Sequence, residues 1–189
     1  MRTIPIDITL DEVETLPDLF RKRIDRTPEH VAYRYFDNPS QRWLESNWRE
    51  MAELAGRWQE ALLAEGLQAG DRVGIMMANC REWVLFDQAT LGLGLVNVPL
   101  FYNDRGGNVA YIVGDANLRL LFIQGEEQWL SLQPVLEQIQ ATTKLITCQP
   151  VQPQGGQTVP QTLDEWLPKS GGAYRIREEI GPESLATVV

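Results

Sequence analysis

The chain has 189 residues, 43% hydrophobic and 23% charged, with 17 basic against 26 acidic side chains and a net charge of -9. That is enough for one globular domain with a sizeable core, and the acidic balance disfavours nonspecific nucleic-acid binding, which needs a basic surface. Cys80 and Cys148 have no Cys or His neighbour at zinc-ligand spacing, and a single histidine, His30, leaves little basis for a Ser/His/Asp or Cys/His site.

Residues 1–10 hold no apolar core of signal-peptide length, and the apolar run at 89–96 falls far short of the roughly 20 residues of a membrane helix. A cytoplasmic protein is expected, with both thiols reduced and structural. Thr15 is placed to cap a first helix, with Pro17 in its first turn, Asp18 three residues on, and Leu16, Leu19, Phe20 and Ile24 on one face. Thr27-Pro28 ends it. Residues 31–36 and 41–44 flank the turn-forming Asp37-Asn38-Pro39-Ser40, which predicts a β-hairpin. Asn47 with Glu50 resembles a capping box for a helix striped by Met51, Leu54, Ala55, Trp58, Ala61 and Leu62 and closed by Gly66.

The following stretch, residues 70–123, organises the rest. Three nearly continuous apolar runs, 72–77, 95–101 and 118–123, are separated by segments of helical spacing, the pattern of successive βαβ crossovers. Runs that do not alternate belong to strands covered on both faces. The fold class is therefore α/β, a parallel sheet with helices on both faces and an N-terminal β-hairpin. Asn79 with Glu82 is expected to start the first crossover helix, and Gly92 and Gly94 end it where missing side chains allow close packing on the sheet. This pair is no dinucleotide fingerprint, since it ends a helix and the third glycine position is Asn97.

Asp104 is expected to cap the second crossover helix, which carries Val109, Ile112, Val113 and Ala116, with Gly106-Gly107 loosening its first turn. Leu132, Val135, Leu136 and Ile139 mark another helix, and residues 144–148 another strand. From 149 to 161 the composition shifts to Gln, Pro and Gly, a surface loop. Thr162 with Glu165 caps a short helix through Leu167, and residues 185–189 read as a buried strand.

The segment GDRVGIMMANCREWVLFDQATLGLGLVNVPL, residues 70–100, closely resembles the early part of the AMP-forming acyl-CoA synthetases of the adenylate-forming superfamily. A Gly-Asp-Arg-Val strand, an Asn and Glu-Trp helix start and a Val-x-Val-Pro-Leu strand carry the likeness. AYIVGDANLRLLFI, residues 110–123, resembles the family's next helix and strand. The similarity runs from about residue 16 to 189 and points toward the long-chain fatty acid branch.

The resemblance implies that residues 1–189 are a fragment of the large N-terminal domain of the adenylate-forming fold, cut before its Ser/Thr/Gly-rich phosphate loop. The intact enzyme would use ATP, Mg2+ and coenzyme A to turn a small-molecule carboxylate into an acyl-adenylate and then a thioester. No glycine-rich phosphate loop and no Gly-x-x-x-x-Gly-Lys-Ser/Thr motif occurs in the chain. No catalytic residue or metal ligand is therefore assigned, and tight cofactor binding by this segment is not expected. Its expected partners are the remainder of its own chain and, through an exposed sheet edge, a second copy.

Ligands of open parallel sheets sit beyond the carboxyl ends of the strands, here residues 78–79, 102–105 and 124–126. In relatives the loop after residue 101 lies near the coenzyme A nucleotide, so Tyr102, Asn103 and Arg105 are candidates for that vicinity. The sequence FYNDRGG departs from the family's residues there, and the plainer reading is a helix cap at Asp104 with a solvated Arg105. Trp83 and Phe86 read as core. Two other readings stay open: a free-standing flavodoxin-like binding module, and a superfamily member acting on another carboxylate such as an aryl acid.

Overall fold

In the computed structural model, which describes residues 7–37, 40–153 and 158–189, a single turn of 3-10 helix at Leu10–Glu12 precedes helix α1 (Leu16–Arg26). Asn38 and Pro39 of the expected hairpin turn, residues 1–6 of the amino terminus and residues 154–157 of the Gln/Pro/Gly segment lie outside the described residues. Thr15 caps α1 as expected, its hydroxyl accepting the Asp18 N–H at 3.2 Å. Phe20 is buried, but Leu16 and Leu19 remain 61% and 40% exposed, because α1 meets α2 and α3 only along its Phe20 and Ile24 side.

The 3-10 turn is tied to the far end of α1. Arg26 grips the Glu12 carboxylate, which also accepts the Thr9 N–H at 2.8 Å and the Thr9 hydroxyl at 3.0 Å. The Arg26 bond first, then those from Thr9, hold the Glu12 carboxyl down from its ordinary 4.5 to about 2. A depressed carboxylate pKa favours the folded contact above the ordinary value and loses that contribution as pH falls through the folded one. The Glu12 side-chain resonance is thus expected to titrate near pH 2, and Arg26→Leu to return it toward 4.5. A wild-type midpoint near 4.5 would mean that the turn is not held this way.

The hairpin forms from β1 (Val31–Asp37) and β2 (Arg42–Asn47), antiparallel with Arg34 opposite Glu45 and Phe36 opposite Trp43. Helix α2 (Trp48–Ala64) begins with both halves of its capping box: Asn47 Oδ1 accepts the Glu50 N–H, and Glu50 Oε2 accepts the Asn47 N–H, each at 2.9 Å. Reciprocal caps satisfy two donors that the helix itself cannot.

The chain then alternates β3 (Arg72–Met76), α3 (Arg81–Gly92), β4 (Val96–Pro99), α4 (Gly106–Asp115) and β5 (Leu120–Ile123). Next come α5 (Glu126–Leu132), a 3-10 turn at Gln133–Val135, α6 (Leu136–Gln140) and β6 (Lys144–Thr147). The one long helix expected around residues 132–139 is broken because Pro134 has no N–H and its ring clashes with the preceding turn. Its apolar face survives the break, with Leu132, Leu136 and Ile139 all buried.

The loop after β6 returns to add β7 (Gln161–Thr162), which leads into the Thr162-capped α7 (Leu163–Trp166). The sheet order is β4-β3-β5-β6-β7, every pair parallel. Successive β5 residues point to opposite cores: Leu120 and Phe122 join α1, α2, α3 and α7 on one face, while Leu121 and Ile123 join α4, α5 and α6 on the other. Two covered faces are what the unalternating strands demand.

From Pro168 the chain runs back as a strap over α2 and α3. A Cβ on Gly56 would lie 2.1 Å from the Gly172 carbonyl oxygen, so only glycine permits this crossing. Gly92 likewise faces the strap, at Arg175 and Tyr174, rather than the sheet as expected. The strap delivers residues 186–188 to the outer edge of β4, where Asn97 N–H bonds Ala186 O at 2.9 Å and Val188 N–H bonds Asn97 O at 3.0 Å. The buried strand expected at 185–189 is reduced to this one bridge, with Leu185 60% and Val188 42% exposed. Pro99 has no N–H for the next rung, so the ladder stops there.

Candidate functional site at the carboxyl ends of the strands

The chain leaving β3 turns into α3 on one face, and the chain leaving the adjacent β4 turns into α4 on the other. Diverging connections at neighbouring strands open a crevice between their carboxyl ends, the usual ligand position in such sheets. A cavity of about 450 Å³ lies there, walled by Met77, Ala78, Asn79, Trp83, Phe101 and Tyr102. Phe101 is 81% exposed, an unusual state for a large apolar ring beside an apolar cavity. Trp83 is half-buried against the core and Phe86 fully buried within it, as expected.

A second groove, about 740 Å³, separates the hairpin from the ends of β3 and β5. Ala78 and Asn79 border both, so the two openings meet at the end of β3. Here the wall is polar. The Arg81 guanidinium lies 4.9 Å above the Tyr35 ring, donates to its hydroxyl at 2.9 Å and pairs with Glu82. Gln124 Oε1 accepts the Ala78 N–H at 2.9 Å and ties the end of β5 to the end of β3.

Two expected caps are not made. Helix α3 begins at Arg81 with Cys80 at its N-cap, so Asn79 sits one residue too early to reach the first-turn N–H groups. Asp104 does not cap α4, whose N-cap is Arg105; its carboxylate accepts instead from Arg105 N–H at 2.8 Å and Asn108 Nδ2 at 3.2 Å. Desolvation raises both thiols, Cys148 to about 12, which keeps them protonated near neutral pH. His30 is exposed in the turn before β1. Among the described residues no group of three or more His, Cys, Asp or Glu side chains is gathered to hold a metal, and no helix is long and apolar enough to cross a membrane.

Of the candidate residues, Tyr102 borders the crevice, while Asn103 and Arg105 stand exposed on the same loop outside its wall. No ion pair joins Arg105 to any described residue. A turn closed by Asp104 N–H to Phe101 O at 3.1 Å shapes the loop. Gln128, which the sequence reading passed over, donates from Nε2 to the Tyr102 carbonyl at 3.0 Å. Its signal was partial: a glutamine three residues after Gly125 suggests a helix start, but nothing local announces a contact 26 residues away.

Residues 20–189 match the family model described as AMP-binding enzyme. Long chain acyl-CoA synthetase 1 of Arabidopsis thaliana is 31% identical over 123 residues, covering 64% of this chain and 18% of that protein. Long-chain-fatty-acid--CoA ligase 1 of Homo sapiens is 32% identical over 130 residues, 66% of this chain and 18% of that one. The solved anthranilate CoA ligase AuaEII, in complex with anthranoyl-AMP, superposes with a TM-score of 0.76 at 16% identity, covering 99% of this chain and 33% of that structure, which shows the shared fold. The chain thus spans about a fifth of the length of the curated relatives it matches. Because the family match takes in the whole parallel sheet with the crevice at its carboxyl edge, the chain belongs to the AMP-binding enzyme family.

Proposed function

We propose that the chain forms the N-terminal subdomain of a cytoplasmic AMP-forming acyl-CoA ligase that activates a long-chain fatty acid as its adenylate and passes the acyl group to coenzyme A. The observation that carries this reading is the family match over residues 20–189 together with relatives named as long-chain acyl-CoA ligases. The likeness to aryl-acid ligases is one of fold and gives no reason to choose an aryl substrate.

In this reading ATP and Mg2+ are bound largely by parts of the enzyme outside these residues, since nothing between Met1 and Val189 offers a glycine-rich phosphate cradle. The subdomain supplies the sheet that walls the site. The loop carrying Tyr102, Asn103 and Arg105 suits the nucleotide end of coenzyme A: exposed rings at Phe101 and Tyr102 offer stacking surfaces, and Arg105, exposed and in no ion pair with a described residue, offers a cation for phosphate. The segment 185–188 that lies along β4, with Leu185 and Val188 exposed, is the surface through which the isolated chain would meet its remaining partner or a second copy.

The test compares this chain with a form extended through the full reading frame. The extension is expected to open, within about ten residues, with a Ser/Thr/Gly-rich loop followed by lysine, the phosphate cradle the reading requires. With fatty acids, ATP and magnesium, the extended form should exchange pyrophosphate into ATP and form thioesters with coenzyme A, while residues 1–189 alone should do neither. Exchange by the short form would show that the site is misplaced. No acyl-adenylate from the long form with any carboxylate would remove the ligase reading.

A further inference from the structure

Gln128 is 3% exposed in the first turn of α5, and its amide bonds in two directions. Oε1 accepts the Gly125 N–H at 3.1 Å and so caps the helix. Nε2 donates to the Tyr102 carbonyl at 3.0 Å and so reaches the loop after β4. The same helix meets that connection again at Ser131, one turn further on: a Cβ on Gly106 would stand 2.4 Å from the Ser131 carbonyl oxygen. Gly106 therefore serves this close approach.

The loop is thus fixed through its backbone while its side chains stay open. Phe101, Tyr102, Asn103 and Arg105 are all exposed, and Gln128 occupies none of their binding capacity. A loop already ordered by its backbone loses less conformational entropy when a ligand engages its side chains. The amide serves both bonds at once, because one end accepts and the other donates.

We infer that Gln128 is a positioning residue for coenzyme A, acting through the Tyr102 carbonyl to hold the 101–105 loop in its binding conformation; this rests on the function proposed above. Gln128→Glu keeps an acceptor for the Gly125 N–H and, at a pH where this buried carboxyl is ionised, turns a bare oxygen toward the Tyr102 carbonyl; protonated, it would donate there and keep the clamp. Gln128→Met keeps the volume and loses both bonds. A helix cap alone would be lost in the methionine variant and retained in the glutamate variant. A loop clamp is lost in both.

Two readouts test it. In the 189-residue chain, amide exchange at Asp104, whose N–H closes the loop turn, should speed up roughly tenfold in both variants, the scale of one lost hydrogen bond. In the extended enzyme the KM for coenzyme A should rise about tenfold while pyrophosphate exchange changes less than about twofold, because only thioester formation uses the loop. Should the glutamate variant fail to fold, the methionine variant carries the same two readouts. Unchanged Asp104 exchange in the glutamate variant at a pH where its carboxyl is ionised, with a lowered melting temperature only in the methionine variant, would reduce Gln128 to a cap and overturn the inference. Faster exchange with an unchanged coenzyme A KM in an active enzyme would overturn it as well. A wild-type extended enzyme that forms no thioester at all would instead sink the ligase reading and the coenzyme A role together, and the exchange data would then report only the clamp.

Discussion

Val98→Asp is expected to abolish the folded state. Val98 is 3% exposed in β4, within the core formed by α4, α5 and α6, and its neighbour across the ladder is Gly74 of β3. Val98 belongs to a cluster of buried apolar side chains, so a carboxylate placed there enters an environment that solvates charge poorly. An unpaired buried charge costs several kcal/mol, a large part of the about 5–15 kcal/mol that holds a domain together. Protonation could spare the charge but leaves an unsatisfied acid group in the same place. Denaturant unfolding of Val98→Asp beside Val98→Ala and Asn103→Asp would separate the causes. The alanine variant should lose about 1–3 kcal/mol through its cavity, and the exposed Asn103 variant almost nothing. A soluble Val98→Asp protein with an unchanged melting temperature would mean that β4 is not covered on this face.

That burial was legible in the sequence because it rests on a strong, local signal. Strands covered on both faces must be apolar throughout, and the three runs at 72–77, 95–101 and 118–123 contain the observed β3, β4 and β5 with only their ends trimmed. The caps at Thr15, Asn47 and Thr162 were equally legible, since a cap is a relation between residues three apart. Asn79 and Asp104 failed for a related reason: the residue type was right, but the loop before each helix ran one residue longer than the pattern supposed. Leu16 and Leu19 show a different limit, because an apolar stripe says that a helix has a packing face and not how wide its partner is.

The site was legible only as a location. Strand ends follow from the strands, and with them the loop of Tyr102 and Arg105. That the open crevice lies between β3 and β4 depends on strand order and on which face each helix takes, and both are long-range facts. Gln128 and Gln59 are the clearest cases of what local pattern cannot carry. Each is a polar residue inside a helix whose use is a backbone far away in sequence, so each reads from sequence as surface. Buried polar side chains of this kind are hydrogen-bonded or costly, which makes them informative once seen.

Gln59→Leu should release the strap that carries the chain from Pro168 to the edge of β4. Gln59 is fully buried in α2, and its amide pairs with a single residue of the strap in both senses: Nε2 donates to the Arg175 carbonyl at 2.8 Å, and Oε1 accepts the Arg175 N–H at 2.9 Å. The strap's other supports include Arg57 Nε to Pro168 O at 3.0 Å, Tyr174 hydroxyl to Gln88 O at 3.3 Å and Arg177 N–H to Gly92 O at 3.0 Å. Leucine fills the space but leaves both Arg175 backbone groups without partners, a loss of about 2–4 kcal/mol unless the strap lifts into water. Lifting frees the backbone around Arg175, whose side chain is already exposed, and around Arg177, so trypsin should cut there faster than in the wild-type chain, with a melting temperature lower by roughly 5–15 °C. Gly56→Val attacks the same contact sterically, since its side chain would collide with the Gly172 carbonyl, while leaving every Gln59 bond partner in place. If both residues hold one strap, the double variant should cost clearly less than the sum of the two, because a strap already released cannot be released again. Full additivity, or an unchanged tryptic pattern in both single variants, would mean that Gln59 and Gly56 matter to α2 alone and that residues 186–188 reach β4 without them.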